Sequence, residues 1–166
     1  MKKPNEIAAA YSDAGQAKIN NTPTKTFLLS VLAGAYIALG ALGSQIANAS
    51  VADTGMVRFI GALVFPVGLV MVIIAGAELF TGNSLLVIPV LDKKADVTGM
   101  LKNWLIVYAG NFIGSLLVAA AAVYGHLPGF FDGKLAALMV STAATKTSLT
   151  FSEGLIRGIL CTLHAA

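Results

Sequence analysis

The chain has 166 residues, of which 57% are apolar and only 11% are charged, and its mean hydropathy is +0.80. Soluble globular chains carry about 25% charged residues, so the composition excludes an ordinary soluble domain and predicts an integral membrane protein. The net charge of +3 is small, and the lysines stand in short clusters beside apolar runs, which argues against nucleic-acid binding. The single Cys161 leaves no pair for an internal disulfide.

The first two predicted elements are a surface helix and a membrane span. Residues 4–19 predict an amphipathic helix in which Ile7, Tyr11 and Ala14 share one face and Lys18 follows one turn later. We expect this helix to rest on the membrane surface or on a neighbouring subunit. Residues 26–47 are apolar and rich in small residues, which let helices approach closely in lipid. They predict the first span of a tight helical assembly.

The second apolar run is too long for one span. Residues 59–91 number 33 and would form a helix of roughly 50 Å, against a hydrocarbon core of about 30 Å. The polar residues near the middle predict irregular backbone at 78–83, with Gly82 and Asn83 tolerating left-handed conformations, and a half-helix over 84–90. Irregular backbone at membrane depth is buried in protein or lines a cavity, and a broken helix points to a transport site.

The third span and the orientation follow from composition. Residues 104–124 are apolar, with Gly110 and Gly114 on a face suited to close packing. Lysines precede the first span and follow the second, whereas the loop between them carries only Arg58. By the positive-inside rule, the N-terminus and the 92–102 loop are predicted to be cytoplasmic, in a multi-pass protein of the cell (inner) membrane.

The remaining residues are predicted to lead outside and back. We expect a short outer helix over 133–144, re-entry from about Lys146, and a fourth span over 147–163 that is apolar except for Glu153 and Arg157.

The ten residues 73–82, Ile-Ile-Ala-Gly-Ala-Glu-Leu-Phe-Thr-Gly, resemble the first signature of the formate/nitrite transporter family at every position. The resemblance runs from about residue 4 to Cys161 and departs from the family inside its second signature, which would begin at Gly158. It implies pentameric channels for small monovalent anions, with six spans in two inverted repeats of three. The implied fold class is an all-α membrane protein, an aquaporin-like helical bundle with a broken second transmembrane helix and only about the first four of six spans present.

The same resemblance predicts the domain organisation. Residues 1–25 would form a cytoplasmic amphipathic N-terminal helix. Residues 26–124 would form the first three-span repeat, with the broken helix at 78–84. Residues 125–166 would form an outer loop and the incomplete start of the second repeat.

Four apolar residues are carried over from the family as pore constrictions. Phe65 and Leu69 match its outer constriction, and Leu79 and Phe80 match its inner one. Apolar rings gate by dewetting and strip water from a hydrated ion. Ordinary helix packing is the alternative for all four.

Four polar residues complete the predicted site. Thr81 matches a loop threonine whose hydroxyl can donate to an anion, although it could instead cap the half-helix. Lys146 matches a lysine of the outer vestibule that draws anions, although it could simply snorkel at a helix end. We expect Glu78 and Asn83 to brace the loop, Glu78 by accepting from backbone N–H groups or a neighbouring subunit, rather than to transfer protons.

These features predict a membrane channel subunit that passes small monovalent anions (hydrosulfide, formate or nitrite) or their conjugate weak acids through a pore in each protomer. The alternative is a non-conducting truncated membrane fragment of such a channel. Thr81 to Ser84 favour the hydrosulfide-like branch, and an aquaporin-type facilitator lacks its Asn-Pro-Ala signature here. No enzyme motif, cofactor or metal site is predicted, since neither His126 nor His164 has a suitably spaced carboxylate. The expected partners are small anions, the lipid bilayer and further copies in a homopentamer, with no nucleic acid.

Overall fold

The computed structural model describes residues 3–165, with all side chains except those of residues 4, 54 and 162–165, so the side chain of His164 lies outside the described part. Every regular element among the described residues is helical, and the predicted all-α class is confirmed. The helices are α1 (Pro4–Ile19), α2 (Pro23–Asn48), α3 (Thr54–Val64), α4 (Pro66–Ala75), α5 (Phe80–Asn83), α6 (Val87–Leu91), α7 (Val97–Tyr124), α8 (Lys134–Thr147) and α9 (Phe151–Ala165), with 3₁₀ turns at Ser84–Leu86 and Leu127–Gly129.

Three of the described helical segments are long and apolar enough to cross a membrane: Pro23–Asn48, Gly55–Ala75 and Val97–Tyr124. The first and last are α2 and α7. The middle one joins α3 and α4 at Phe65, next to Pro66, which lacks a backbone N–H and so interrupts the helical ladder. These spans make the chain a membrane protein.

Several helix ends differ from the sequence prediction. The third span begins at Val97 rather than 104, because the Asp96 side chain caps it by accepting from Gly99 N at 2.9 Å. The helix predicted as a fourth span over 147–163 begins only at Phe151. It continues to Ala165, the last described residue.

Helix α2 is the centre of the bundle, and glycines let its neighbours approach it. A Cβ on Gly114 of α7 would lie 2.0 Å from the carbonyl oxygen of Val31, and one on Gly34 of α2 would lie 2.1 Å from that of Asn111. On the other side of α2, a Cβ on Gly68 of α4 would lie 2.7 Å from the carbonyl oxygen of Tyr36. The predicted close-packing role of the small residues in the first and third spans is therefore confirmed.

Helix α1 lies against the half-helix that follows the break in the second span. Ser12 and Gly15 face the rest of the chain and are buried, whereas Ile7 and Ala14, on the face predicted to meet the membrane or a neighbouring subunit, are exposed in the single chain. At Gly15 the backbone packs against a proline ring, because an added Cβ would lie 2.9 Å from the Cγ of Pro89. A small residue is therefore needed where the apolar pattern alone would have placed a larger one.

Candidate functional site

The second span is interrupted at Gly76. This residue has φ +60° and ψ +32°, the left-handed conformation that terminates α4. Its N–H bonds to the carbonyl oxygen of Ile73 at 3.2 Å, and that of Ala77 bonds to Val72 at 3.0 Å. Residues 77–79 are irregular, and helical structure resumes at Phe80.

The break therefore lies closer to the N-terminus than the predicted 78–83 (or 78–84). Gly76 supplies the left-handed residue, whereas Gly82 lies inside α5 and Asn83 has φ −78°. A left-handed residue with a Cβ costs roughly 1–2 kcal/mol, so a glycine within the apolar run is the cheapest place to stop a helix. Two of the polar residues that suggested the break, Glu78 and Asn83, bond to each other after it.

A buried carboxylate directly follows the break. Glu78 is 3% exposed, and its Oε2 accepts from Asn83 Nδ2 at 2.7 Å and from Lys18 Nζ at 3.1 Å. Lys18 Nζ also donates to Asn83 Oδ1 at 2.9 Å, and Asn83 Nδ2 donates to Asn103 Oδ1 at 2.9 Å. A charge at membrane depth is costly unless it is paired and hydrogen-bonded, and this network satisfies both conditions. We call these four side chains the polar network.

Of the two kinds of partner predicted for the Glu78 carboxylate, the backbone N–H groups of the loop are wrong for the described chain, and a neighbouring subunit stays a prediction. The carboxylate's partners are side chains from α1 and from the turn of α5. The carboxylate meets Asn83 one turn further on because 80–83 is helical rather than looped.

The backbone of the broken segment is bonded by side chains from the neighbouring helices. Asn111 of α7 accepts from Phe80 N at 2.9 Å through Oδ1, and its Nδ2 donates to the carbonyl oxygens of Glu78 at 2.9 Å and Ser30 at 2.8 Å. Trp104 Nε1 donates to the carbonyl oxygen of Asn83 at 2.7 Å. Peptide groups freed by the break thereby regain partners inside the protein.

Helix α1 supplies a further bond to the same segment. The Tyr11 hydroxyl donates to the carbonyl oxygen of Gly82 at 2.8 Å. Burial raises the pKa of Tyr11, and the nearby negative charge of Glu78 raises it further. The phenol therefore stays protonated, and able to donate, across the physiological range.

A cavity of about 320 Å³ lies beside the break. Its wall combines side chains of α4 with the broken segment and the end of α1. The residues that line it are Lys18, Leu69, Val72, Ile73, Gly76, Ala77, Leu79, Thr81, Gly82 and Asn83. The wall is mainly apolar, and its polar residues include Thr81 and Lys18, whose ammonium is paired with the Glu78 carboxylate at 3.1 Å. It therefore suits a small solute that accepts hydrogen bonds.

Four predicted site residues line the cavity: Leu69, Leu79, Thr81 and Asn83. Phe65, Phe80 and Lys146 are not part of its lining, and Glu78 bonds to Asn83 beside it. The capping alternative for Thr81 is wrong, because Asn83 holds the N-cap position of the turn at Ser84–Leu86 and no side chain caps it.

The three residues outside the cavity have their own surroundings. The Phe80 ring packs edge-on against Trp104 and Tyr108, with centroids 6.2 and 5.7 Å away. Phe65 stands at the junction of α3 and α4, and Lys146 is exposed in the last turn of α8.

Sequence reasoning missed Lys18, Asn103 and Asn111 as site residues. Asn111 carried a signal, since a polar side chain inside a membrane span is costly and marks a functional position. Asn103 did not, because it precedes the predicted start of the third span at 104. Lys18 carried none, because a lysine at the end of a surface helix is ordinarily solvated.

A sequence model described as Formate/nitrite transporter matches residues 5–164. The chain belongs to the formate/nitrite transporter family. The resemblance on residues 73–82 is thereby confirmed, and the family's members are channels and transporters rather than enzymes. Formate channel FocA of Haemophilus influenzae is 35% identical over 163 residues, which cover 96% of this chain and 57% of FocA. Formate channel BtFdhC of Bacillus thuringiensis is 35% identical over 162 residues, covering 96% and 62%.

A solved structure with the same fold supports this membership. A pentameric formate channel with formate bound superposes with a TM-score of 0.74 at 26% identity, over 84% of this chain and 56% of that one. The chain thus spans a little over half the length of the formate/nitrite transporter relatives that it matches.

Proposed function

We propose that the chain builds one wall of a pore for small monovalent anions, or their conjugate weak acids, with the break in the second span at its narrow part. The observation that carries the proposal is the cavity lined by Leu69, Leu79, Thr81 and Lys18. An apolar wall removes water from an ion, and a hydroxyl donor and a cation replace part of that hydration. A small monovalent anion fits these requirements.

Among candidate anions, the relatives' names favour formate, and the Thr81 to Ser84 variant favours hydrosulfide. Nitrite shares their charge and size class. The constriction roles of Phe65 and Phe80 remain predictions, as does the vestibule role of Lys146. Glu78 and Asn83 are proposed to brace the narrow part through the polar network.

The assembly and orientation are also proposals. The pentameric relative supports a homopentamer with a pore in each protomer. The lysine asymmetry supports a cytoplasmic N-terminus in the inner membrane, with 126–134 outside. An impermeant maleimide should label Asp132→Cys on intact cells. Labelling only after lysis would show the opposite orientation.

Anion binding can be tested separately from conduction. In a Cys161→Ser background reconstituted in lipid vesicles, formate, nitrite or hydrosulfide should slow modification of a Thr81→Cys thiol, whereas sulfate should not. Adding Lys18→Met should abolish the protection, because it leaves the negative charge of Glu78 unpaired beside the cavity. Ser141→Cys, at an exposed position of α8 away from the cavity lining, is the matched control. Equal rates with and without the monovalent anions would contradict the proposed site.

Flux then decides between the channel and the non-conducting alternative. Uptake above that of empty vesicles, raised further by Leu79→Ala, is expected of a channel narrowed by Leu79. Lys146→Glu should depress this uptake more at low ionic strength than at high, since the Debye length is about 10 Å at 0.1 M salt. Anion protection without flux would favour the non-conducting alternative. That alternative is kept because the described cavity wall comes only from α1, α4 and the broken segment.

A further inference from the structure

Asn111 uses its whole carboxamide on three partners. Its Oδ1 accepts from Phe80 N at 2.9 Å, and its Nδ2 donates to Glu78 O at 2.9 Å and Ser30 O at 2.8 Å. The orientation of the amide is determined by its partners, because a flip would turn the oxygen toward two carbonyl groups and the NH₂ toward an N–H.

Two of these bonds flank Leu79. The carbonyl of Glu78 belongs to the peptide group before it, and the N–H of Phe80 belongs to the one after it. With both peptide groups bonded to α7, the extended backbone of Leu79 (φ −102°, ψ +133°) and hence its Cα–Cβ direction are set. That side chain lines the cavity.

The third bond ties Asn111 to the most closely packed part of the bundle. Ser30 lies on α2, and the missing side chain of Gly34 admits the backbone of Asn111 to α2 at the same level. Closely packed interiors have low compressibility, so this anchor moves little. Two backbone bonds also act on the segment, from Glu78 N to the carbonyl oxygen of Leu29 at 3.2 Å and from Asn83 N to that of Leu79 at 3.0 Å. The polar network holds the side chain of Glu78, and Tyr11 holds Gly82.

We propose that Asn111 is the positioning residue for Leu79 and thereby sets the width of the narrow part of the pore. The inference rests on the proposed function for its consequence in transport. Its structural content, that Asn111 rather than general packing holds Leu79 in place, is testable by itself.

The test compares two thiols in the same cavity, in the Cys161→Ser chain in lipid vesicles. Leu79→Cys reports on the broken segment, and Leu69→Cys reports on α4. Asn111→Leu preserves size but removes every bond. It should raise the modification rate at Leu79→Cys by roughly five- to thirtyfold, the factor for one or two kcal/mol of lost hydrogen bonding, and leave Leu69→Cys unchanged. Ser115→Ala, whose hydroxyl bonds to the carbonyl oxygen of Phe112 in its own helix, is the matched control on α7.

Equal changes at both thiols, or no change at either, would overturn the assignment. If Asn111→Leu fails to fold, the assignment is tested with Asn111→Asp and with the unmutated chain. Asn111→Asp retains the acceptor for Phe80 N but loses both donor bonds, and should also raise the rate at Leu79→Cys alone. In the unmutated chain, the Phe80 N–H should exchange as slowly as helix-interior amides of α4, and exchange at the rate of an unbonded amide would equally overturn the proposal.

Measuring anion flux distinguishes a failure of the positioning role from a failure of the proposed function. A selective change at Leu79→Cys with unchanged anion flux in Asn111→Leu would support the positioning role and contradict the constriction. Unchanged labelling together with anion protection of Thr81→Cys would overturn the positioning role and leave the pore standing.

Discussion

The α2–α7 interface and the broken segment at 76–83 lie side by side but are held by different means. At the interface, Gly34 and Gly114 place backbone against backbone, where an added Cβ would come within 2.1 Å of a carbonyl oxygen. In the broken segment, Asn111, Trp104 and Tyr11 reach in from neighbouring helices to bond backbone groups. Lys18 and Asn103 bond the polar side chains that the segment carries.

The difference follows from what each backbone still needs. An intact helix bonds its own peptide groups, so its interface in lipid requires only a close fit. A broken helix has unpaired N–H and C=O groups at membrane depth, each of which costs several kcal/mol if left alone. Substitutions at the interface should therefore act through volume, and those in the segment through lost donors and acceptors.

The largest expected effect comes from adding side-chain volume at the α2–α7 interface. Gly114→Leu should lower the free energy of unfolding by about 3 kcal/mol or more, because its Cβ meets backbone that cannot move aside without separating α2 from α7. Unfolding by SDS in mixed micelles measures this. Gly154→Leu is the matched control, since no atom outside its own helix and its chain neighbours lies within 4 Å of a Cβ there. Equal losses in the two variants would contradict the role of close approach.

Loss of charge from the polar network should have the next largest effect. Lys18→Met leaves the Glu78 carboxylate buried with only its Asn83 bond, and should cost about 1–3 kcal/mol by the same measurement. Lys18→Met combined with Glu78→Gln should recover part of that loss, because the unpaired charge is gone. Lys94→Met, which breaks an exposed ion pair with Asp13, is the control and should change stability much less. A double variant no more stable than Lys18→Met would argue against the buried charge as the cause.

A single neutral bond should have the smallest effect. Tyr11→Phe removes the donor to Gly82 and should cost about 0.5–1.5 kcal/mol at neutral pH. The raised pKa of Tyr11 means that its contribution is present below the unfolded value of 10.0 and is lost as pH rises through the folded pKa. The difference in the free energy of unfolding between the unmutated chain and Tyr11→Phe should therefore narrow above pH 10. A constant difference in stability up to pH 11 would show that the pKa of Tyr11 is the same in the folded and the unfolded chain.

Local pattern predicted the elements better than their ends. The span at Val97–Tyr124 was predicted from apolar content, but its first turn was missed because a cap, not an apolar run, begins it. The half-helix was predicted from 84 but begins at Phe80, since the N–H there is capped by Asn111, which is 31 residues away. A partner so distant in sequence leaves no local signal.

The sequence by itself determined that the chain is an all-helical membrane protein, that its second apolar run must break, and that residues 73–82 carry the family signature. These features depend on hydropathy, run length and residue identity, which are local. Only the tertiary structure decided which glycine makes the break, that Lys18 reaches Glu78 across 60 residues, and that Leu79 and Thr81 share a cavity while Phe80 turns to Trp104. Those outcomes depend on which helices lie beside the freed backbone groups, because such groups bond to whatever packing brings within reach.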